Sequence, residues 1–111
     1  MQDWRRRLGT ICRSLAMDCN NIQFSQHAFR RMFERAFTPH EVREAITTGE
    51  EIADYPDDKP YPSCLVLAFV GTRAIHVVVA RDPVTGVCRV VTVYQPDPAL
   101  WNTDFRTRRH Q

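Results

Sequence analysis

The chain has 111 residues, 43% hydrophobic and 25% charged, which is enough for one domain with one buried core. These proportions are typical of globular proteins and exclude a chain that is disordered throughout. The formal net charge of +2 selects no partner, but Lys59 is the only lysine among fifteen basic residues. The other basic residues are arginines, whose planar fork of donors matches phosphate or carboxylate, although GC-rich codon usage explains the same bias.

No apolar run reaches the roughly 20 residues that a membrane span needs, and no signal-peptide core follows the basic residues 5–7. The four cysteines form no C-x-x-C pair of the kind used for zinc or redox chemistry. Cys12 and Cys19, if they share a helix, are about 10 Å apart along its axis, too far to bridge. We therefore expect reduced thiols, a cytoplasmic location, and no metal, cofactor or membrane partner.

The predicted elements begin with a helix of about four turns. Its apolar stripe has the spacing four, three, four, and Asp3 is a plausible N-cap. The polar residues 18–21 end it, so that residues 1–21 are predicted to form a helical arm. The stripe consists of Trp4, Leu8, Ile11 and Leu15.

A short strand at 22–24 is followed by Ser25, which is the predicted N-cap of a second helix that runs to Arg35. Spacing of i, i+3, i+4 predicts that this helix buries Phe29, Met32 and Phe33.

A third helix has the clearest start in the chain. Thr38 and Glu41 form a capping box, and Pro39 occupies the first helical position. Gly49 ends the helix, and its predicted buried face consists of Val42, Ala45 and Ile46.

After Gly49 the pattern changes from helical to alternating. An edge strand is predicted at 50–55, and stronger strands at 64–70, 74–81 and 87–94. The turns between the last three are short, which forces antiparallel pairing. The predicted fold is α+β, with two to three N-terminal helices packed on one face of a three- to four-stranded antiparallel sheet. Residues 22–101 are the predicted domain, and residues 102–111 a basic tail that we expect to be flexible.

The first candidate site is on the second helix, where His27, Arg31 and Arg35 are spaced i, i+4, i+8 and share one face. Like charges at this spacing repel unless an anion lies between them, so the pattern favours phosphate. The alternative is a solvated basic face in which Arg30 pairs with Glu34.

The second candidate group is on the strands. His76 lies in an apolar strand and suits acid–base chemistry near neutral pH, but it could equally be a hydrogen-bonded core histidine. Thr92 and Tyr94 share a face of the neighbouring strand and could orient or protonate a leaving oxygen, although both residue types also favour strands.

Several absences narrow the chemistry. The sequence has no P-loop, no G-x-G-x-x-G, no H-E-x-x-H and no G-x-S-x-G motif. A site of arginine, histidine, threonine and tyrosine suits cleavage of RNA through its own 2′-hydroxyl, which needs a base, an acid and cations but no metal. The predicted phosphate-binding residues are Arg30, Arg31, Arg35 and Arg81.

A series of motifs occurs in a fixed order: Phe24-Ser25-Gln26-His27-Ala28 before Arg31 and Arg35, Thr38-Pro39-His40-Glu41-Val42, Thr48-Gly49-Glu50, Tyr55-Pro56-Asp57-Asp58, His76-Val77-Val78, and Thr92-Val93-Tyr94-Gln95-Pro96-Asp97. The series resembles a family of small bacterial domains of unknown function that look like toxins, often encoded beside antitoxins of the MqsA/YgiT type. The resemblance covers residues 22–101 and implies membership of the barnase–EndoU–colicin–RelE-like ribonuclease superfamily. It also implies that the catalytic positions are His27, Arg31, Arg35, His76, Thr92 and Tyr94.

The leading hypothesis is therefore a metal-independent endoribonuclease toxin of a type II toxin–antitoxin system, with RNA and a cognate antitoxin as partners. The alternative is a non-catalytic domain that binds RNA or an acidic protein through the same arginines. Catalysis requires His76, Thr92 and Tyr94 to converge on the arginine stripe of the second helix, whereas binding requires only the arginines.

Overall fold

The computed structural model describes residue 19 and residues 21–109, which form a five-stranded mixed sheet with two helices. The first predicted helix falls in residues 1–18 and lies outside the described residues. The elements in chain order are β1 Asn21–Phe24, α1 Gln26–Arg35, α2 Pro39–Thr48, β2 Glu50–Tyr55, β3 Ser63–Val70, β4 Arg73–Arg81 and β5 Val87–Tyr94.

The strand order is β1-β5-β4-β3-β2, and β1 runs parallel to β5 while the other pairs are antiparallel. The predicted fold was therefore wrong in its sheet, which has five strands and is mixed, and in its helices, which follow β1 rather than precede the sheet. Phe24 pairs with Val90, so the partner of β1 comes after both helices and three strands. Parallel pairing requires a crossover of roughly a dozen residues or more but sets no upper limit, so the sequence of the four-residue strand does not reveal which later strand is its partner.

The two faces of the sheet have different coverings. One, the core face, packs against α1 and α2. The other, the second face, includes the directly paired residues Leu67, His76 and Tyr94, since paired residues in antiparallel strands point the same way. The buried residues of the core face include Val66, Ile75, Val77, Val90 and Val93, which contact Ala28 and Met32 of α1 and Val42 and Ile46 of α2 as one cluster.

Helix α2 forms as predicted. The Thr38 hydroxyl accepts from the Glu41 amide at 3.1 Å, and the Glu41 carboxylate accepts from the Thr38 amide at 2.9 Å. Gly49 ends the helix in an extended rather than left-handed conformation, with φ −77°. Its role is close approach, because a Cβ there would collide with the Ala45 carbonyl oxygen. The predicted buried residues Val42, Ala45 and Ile46 are buried.

The predicted buried face of α1 was partly wrong. Met32 is buried, but Phe29 is 52% exposed and Phe33 is 88% exposed. The contact with the sheet is made by Ala28 and Met32, four residues apart, and the small Ala28 side chain is fully buried there. The prediction followed the large apolar residues and so chose the face that carries Phe29 and Phe33. The face that packs on the sheet is rotated from it and includes the small side chain of Ala28.

Residues 97–109, which we call the C-terminal strap, lie on the second face. Trp101 is 7% exposed, and its ring centroid is 4.5 Å from that of His76. The strap is closed on itself by backbone bonds, among them Arg109 N–H to the Leu100 carbonyl at 2.8 Å. Arg106 donates to both carboxylate oxygens of Glu50 on β2. The basic tail proposed at 102–111 is thus, as far as Arg109, part of this strap.

Cys19 and Cys88 are joined by a disulfide, with their Cα atoms 5.5 Å apart. The expectation of reduced thiols was wrong for this pair, because the partner of Cys19 is on β5 and not the neighbouring Cys12. Cys64 is free and buried in the core face. Over residue 19 and residues 21–109, no helix has the length and apolar composition required to cross a bilayer.

Candidate functional site

Ser25 fixes the start of α1 against β5. Its hydroxyl accepts a hydrogen bond from the Ala28 amide at 3.0 Å, as an N-cap does, and donates to the Val91 carbonyl at 3.0 Å. Val91 is the extra residue of a bulge in β5, since Val78 pairs with Thr92 and the next residue, Val79, pairs with Val90. A bulge bends its strand and leaves backbone groups unpaired, and here Ser25 takes up one of them.

This anchoring brings His27 to Thr92. The pairing of β1 with β5 ends at Val90, so the edge of β5 beyond that residue is open to the first turn of α1. The His27 Nε2 atom lies 3.1 Å from the Thr92 hydroxyl oxygen. His27 is exposed and Thr92 is partly exposed, so a substrate can reach this pair.

Arg31 follows His27 one turn along the same face of α1. Its side chain is 34% exposed, and one guanidinium nitrogen lies 3.5 Å from the Glu34 carboxylate, at the outer limit of a hydrogen bond. Its Nε atom is buried without a hydrogen-bond partner. Glu34 therefore contacts Arg31 and not Arg30 as the solvated-face alternative supposed. Arg31 retains donors for an anion beside the His27 imidazole.

Arg35 completes this helix stripe (His27, Arg31 and Arg35) at the end of α1. It is exposed and lines a cavity of about 480 Å³ together with Arg73 and Gln95. Arg73 binds the end of α1. It donates hydrogen bonds to the carbonyls of Arg35 and Ala36, both at 3.2 Å. Its guanidinium also lies 4.0 Å from the Phe37 ring centroid. These bonds fix the end of α1 from which Arg35 extends.

His76 is fully buried on the second face, and both of its ring nitrogens are hydrogen-bonded. Nε2 lies 2.9 Å from the Phe105 carbonyl oxygen, which can only accept, so Nε2 carries the proton. Nδ1 of the neutral ring then accepts from the Tyr94 hydroxyl at 3.2 Å. Burial lowers the pKa of His76, and the bond to the Phe105 carbonyl opposes this shift. The ring is therefore a neutral, hydrogen-bonded core histidine, the alternative that the sequence left open.

Tyr94 belongs to the surroundings of His76. It lines a second cavity of about 400 Å³, between the sheet and the C-terminal strap, together with Tyr55 and Arg108. Burial raises the pKa of Tyr94. Its hydroxyl is held by His76 and stays protonated at neutral pH.

The structure therefore divides the six predicted catalytic residues into two groups. His27 and Thr92 touch, and Arg31 and Arg35 lie on the same helix stripe as His27. His76, which is fully buried, and Tyr94, which is partly buried, form a separate pair under the C-terminal strap and do not converge on the helix stripe. Of the other predicted phosphate-binding residues, Arg30 is exposed on α1, whereas Arg81 is at the end of β4 about 26 Å from Arg73.

Sequence reasoning missed two residues that position predicted site residues, Arg73 at the end of the helix that carries Arg35 and Phe105 at His76. Arg73 comes directly after a turn, and Phe105 comes from the arginine-rich tail, so neither had a local signal for its role. Over residue 19 and residues 21–109, no group of three or more His, Cys, Asp or Glu side chains is arranged to hold a metal ion.

A family model described as "Domain of unknown function (DUF4258)" matches residues 24–95, more than half of the chain. The matched segment runs from the end of β1 to the residue after β5, and contains the helix stripe, Thr92 and the His76–Tyr94 pair. No curated protein and no solved structure matches the chain.

Proposed function

The chain belongs to the DUF4258 family of domains of unknown function, and we propose that it is a metal-independent endoribonuclease toxin of a type II toxin–antitoxin system. In this proposal it cleaves mRNA in the cytoplasm and is held inactive by a cognate antitoxin. The observation that supports cleavage is the exposed His27 imidazole, 3.1 Å from the Thr92 hydroxyl and one helical turn from Arg31. The Cys19–Cys88 disulfide does not support the cytoplasmic part of this proposal, because disulfides are unusual in a reducing cytoplasm.

The proposed reaction uses the 2′-hydroxyl of the RNA as nucleophile. The 2′-oxygen forms a bond to phosphorus, the bond from phosphorus to the 5′-oxygen breaks, and the products carry a 2′,3′-cyclic phosphate and a 5′-hydroxyl. The His27 imidazole acts as general base and takes the proton of the 2′-hydroxyl. The departing 5′-oxygen takes a proton from water, and the His27 imidazolium returns its proton to the hydroxide that remains.

The other residues of the helix stripe act on charge. The guanidinium of Arg31 donates to the phosphate oxygens and stabilises the charge that develops on them in the transition state. Arg35, one turn further, holds the next part of the polyanion. Thr92 orients the imidazole through its hydroxyl. In this scheme His76 and Tyr94 support the fold and take no part in the proton transfer.

The second candidate function is a non-catalytic domain that binds RNA or an acidic protein segment through the same arginines. It is favoured by the complete burial of His76, which removes the second imidazole from the reach of a substrate. Cleavage then depends on His27 alone, whereas binding needs no imidazole at all.

The test is cleavage of a model RNA by the purified chain in the presence of a chelator. His27→Gln keeps a side chain that can bond to Thr92 but removes the base. We expect it to lower the cleavage rate by about 10²- to 10⁴-fold with RNA affinity nearly unchanged. The matched control is His40→Gln on α2, an exposed histidine that is not part of the helix stripe, which should cleave normally.

Two results contradict the nuclease. If the wild type binds RNA but cleaves it no faster than His27→Gln, the binding alternative stands. If the wild type neither binds nor cleaves RNA, neither RNA function is correct.

A further inference from the structure

The outer surface of α1 carries exposed aromatic rings beside its arginines. Phe33 is 88% exposed and Phe29, one turn earlier, is 52% exposed. The Phe29 ring stacks on that of Phe24, with centroids 5.7 Å apart and an interplanar angle of 12°. The Arg43 guanidinium lies over the Phe24 ring at 5.2 Å. We call Phe24, Phe29 and Phe33 the aromatic platform.

The fold gains little from this arrangement. Hydrophobic stabilisation is proportional to the apolar area removed from water, and Phe33 leaves most of its side chain in solvent. The Phe24–Phe29 stack, in contrast, is already ordered, so that binding of a flat ligand to it would cost little side-chain entropy. Phe24 is partly buried and packs against the core, so it anchors the stack, and the platform presents the rings of Phe29 and Phe33 at the exterior of the molecule.

The charge around the platform favours a polyanion. Arg30 lies between Phe29 and Phe33 in sequence and is exposed. It is three positions from Phe33, which makes the two side chains neighbours on the helix surface. Helix α1 carries three arginines and one glutamate, and that glutamate contacts Arg31. Aromatic rings interleaved with arginine are the features with which proteins bind unpaired bases and their phosphates.

We infer that the aromatic platform stacks unpaired bases of single-stranded RNA, while Arg30 and the helix stripe hold the phosphates on either side. The inference rests on the proposed function and names its substrate class as single-stranded RNA. Bases in a duplex are stacked on one another and cannot reach the rings, whereas unpaired bases can.

The test measures binding of a single-stranded 2′-O-methyl oligoribonucleotide of about 12 nucleotides, which lacks the nucleophile and cannot be cleaved. Phe33→Ala should weaken its binding about five- to hundredfold. The salt dependence of binding should stay unchanged, because no charge is removed. Binding of a duplex of the same sequence should not respond to Phe33→Ala.

The matched control is Val84→Ala, since Val84 is 89% exposed and lies in the turn between β4 and β5. If Phe33→Ala and Val84→Ala bind the single strand with the same affinity, the inference is overturned. The exposed rings then either contact a protein partner or have no binding role. Arg31→Ala separates this failure from that of the proposed function. It should weaken single-strand and duplex binding and flatten the salt dependence by slightly less than one unit. If Arg31→Ala has no effect either, the RNA function itself is wrong.

Discussion

The imidazole of His76 is enclosed on all sides, whereas that of His27 lies at the surface of α1. The neighbours of the two residues differ, since His76 stands between Ile75 and Val77 whereas His27 follows Gln26, but alternation along a strand does not say whether the face that carries His76 is covered. The difference comes from residues distant in sequence: Phe105 supplies a carbonyl to His76, and Trp101 covers its ring. The C-terminal strap therefore determines whether solvent, and with it a substrate, can reach the His76 ring.

We expect the burial of His76 to make stability depend on pH. Because burial lowers the pKa of His76 in the folded chain, the unfolded chain binds a proton first as the pH falls below the ordinary value of 6.5. The contribution of the neutral ring is fully present above this value and is lost as the pH falls towards the folded-state pKa. Urea unfolding between about pH 5 and pH 8 measures the effect.

The controls for this prediction are two substitutions of the same kind. His76→Gln should lower overall stability and make it less dependent on pH, whereas His40→Gln, at an exposed position, should keep the dependence of the wild type. An equally steep pH dependence in His76→Gln would assign the effect to other groups.

At the scale of elements, α1 is held at both ends by contacts from the sheet. Ser25 joins its first turn to the bulge at Val91, and Arg73 donates to the carbonyls at its end. Ala36, at the C-cap, adopts the left-handed conformation with φ 59°, a conformation unusual for a residue other than glycine. The helix stripe is thus positioned by residues outside it.

The N-caps of α1 and α2 allow this positioning to be tested. Ser25→Ala removes the cap of α1 and the bond to Val91, and should lower the free energy of unfolding by about 1–2 kcal/mol. It should also slow RNA cleavage, because His27 loses its alignment with Thr92. Thr38→Ala removes the cap of α2 and should cost about 1 kcal/mol with cleavage unchanged.

Cleavage by these two variants is compared at a temperature where both remain folded. Equal cleavage rates in Ser25→Ala and Thr38→Ala would mean that the anchoring of α1 does not affect the site.

At the scale of the whole molecule, the sequence predicts what local interactions determine. Helix α2 was predicted with its cap and buried face because all the groups involved lie within twelve residues of Thr38. The strands β2 to β5 were predicted from their alternation and short turns. The parallel pairing of β1, the disulfide to Cys88 and the C-terminal strap connect residues far apart in the chain, and no local pattern encodes them.

The candidate site divides in the same way. The stripe of His27, Arg31 and Arg35 follows from helical spacing alone, so it was predictable. Contact between His27 and Thr92 depends on the bulge at Val91, which shifts the register of β5. Separation of His76 from the stripe depends on which sheet face the helices cover. Neither of these could be obtained from periodicity, which places residues on faces but does not say what covers each face.

The strap offers the last prediction, which asks whether residues 97–109 are part of the folded core. Trp101 is almost fully buried against His76, so Trp101→Ala should lower the free energy of unfolding by about 3–5 kcal/mol. Leu100→Ala, at the neighbouring position that is 43% exposed, is the matched control and should cost much less. Arg106→Gln breaks an exposed ion pair with Glu50 and should cost far less than Trp101→Ala, because solvent screens exposed charges.

These free energies are measured by urea unfolding at neutral pH. In Trp101→Ala the His76 ring becomes accessible to water, so its pKa should rise towards the ordinary value and the pH dependence of stability should weaken. A loss in Trp101→Ala no larger than that in Leu100→Ala would mean that the strap is only loosely attached. His76 would then be open to a substrate, and its assignment as a buried structural histidine would have to be withdrawn.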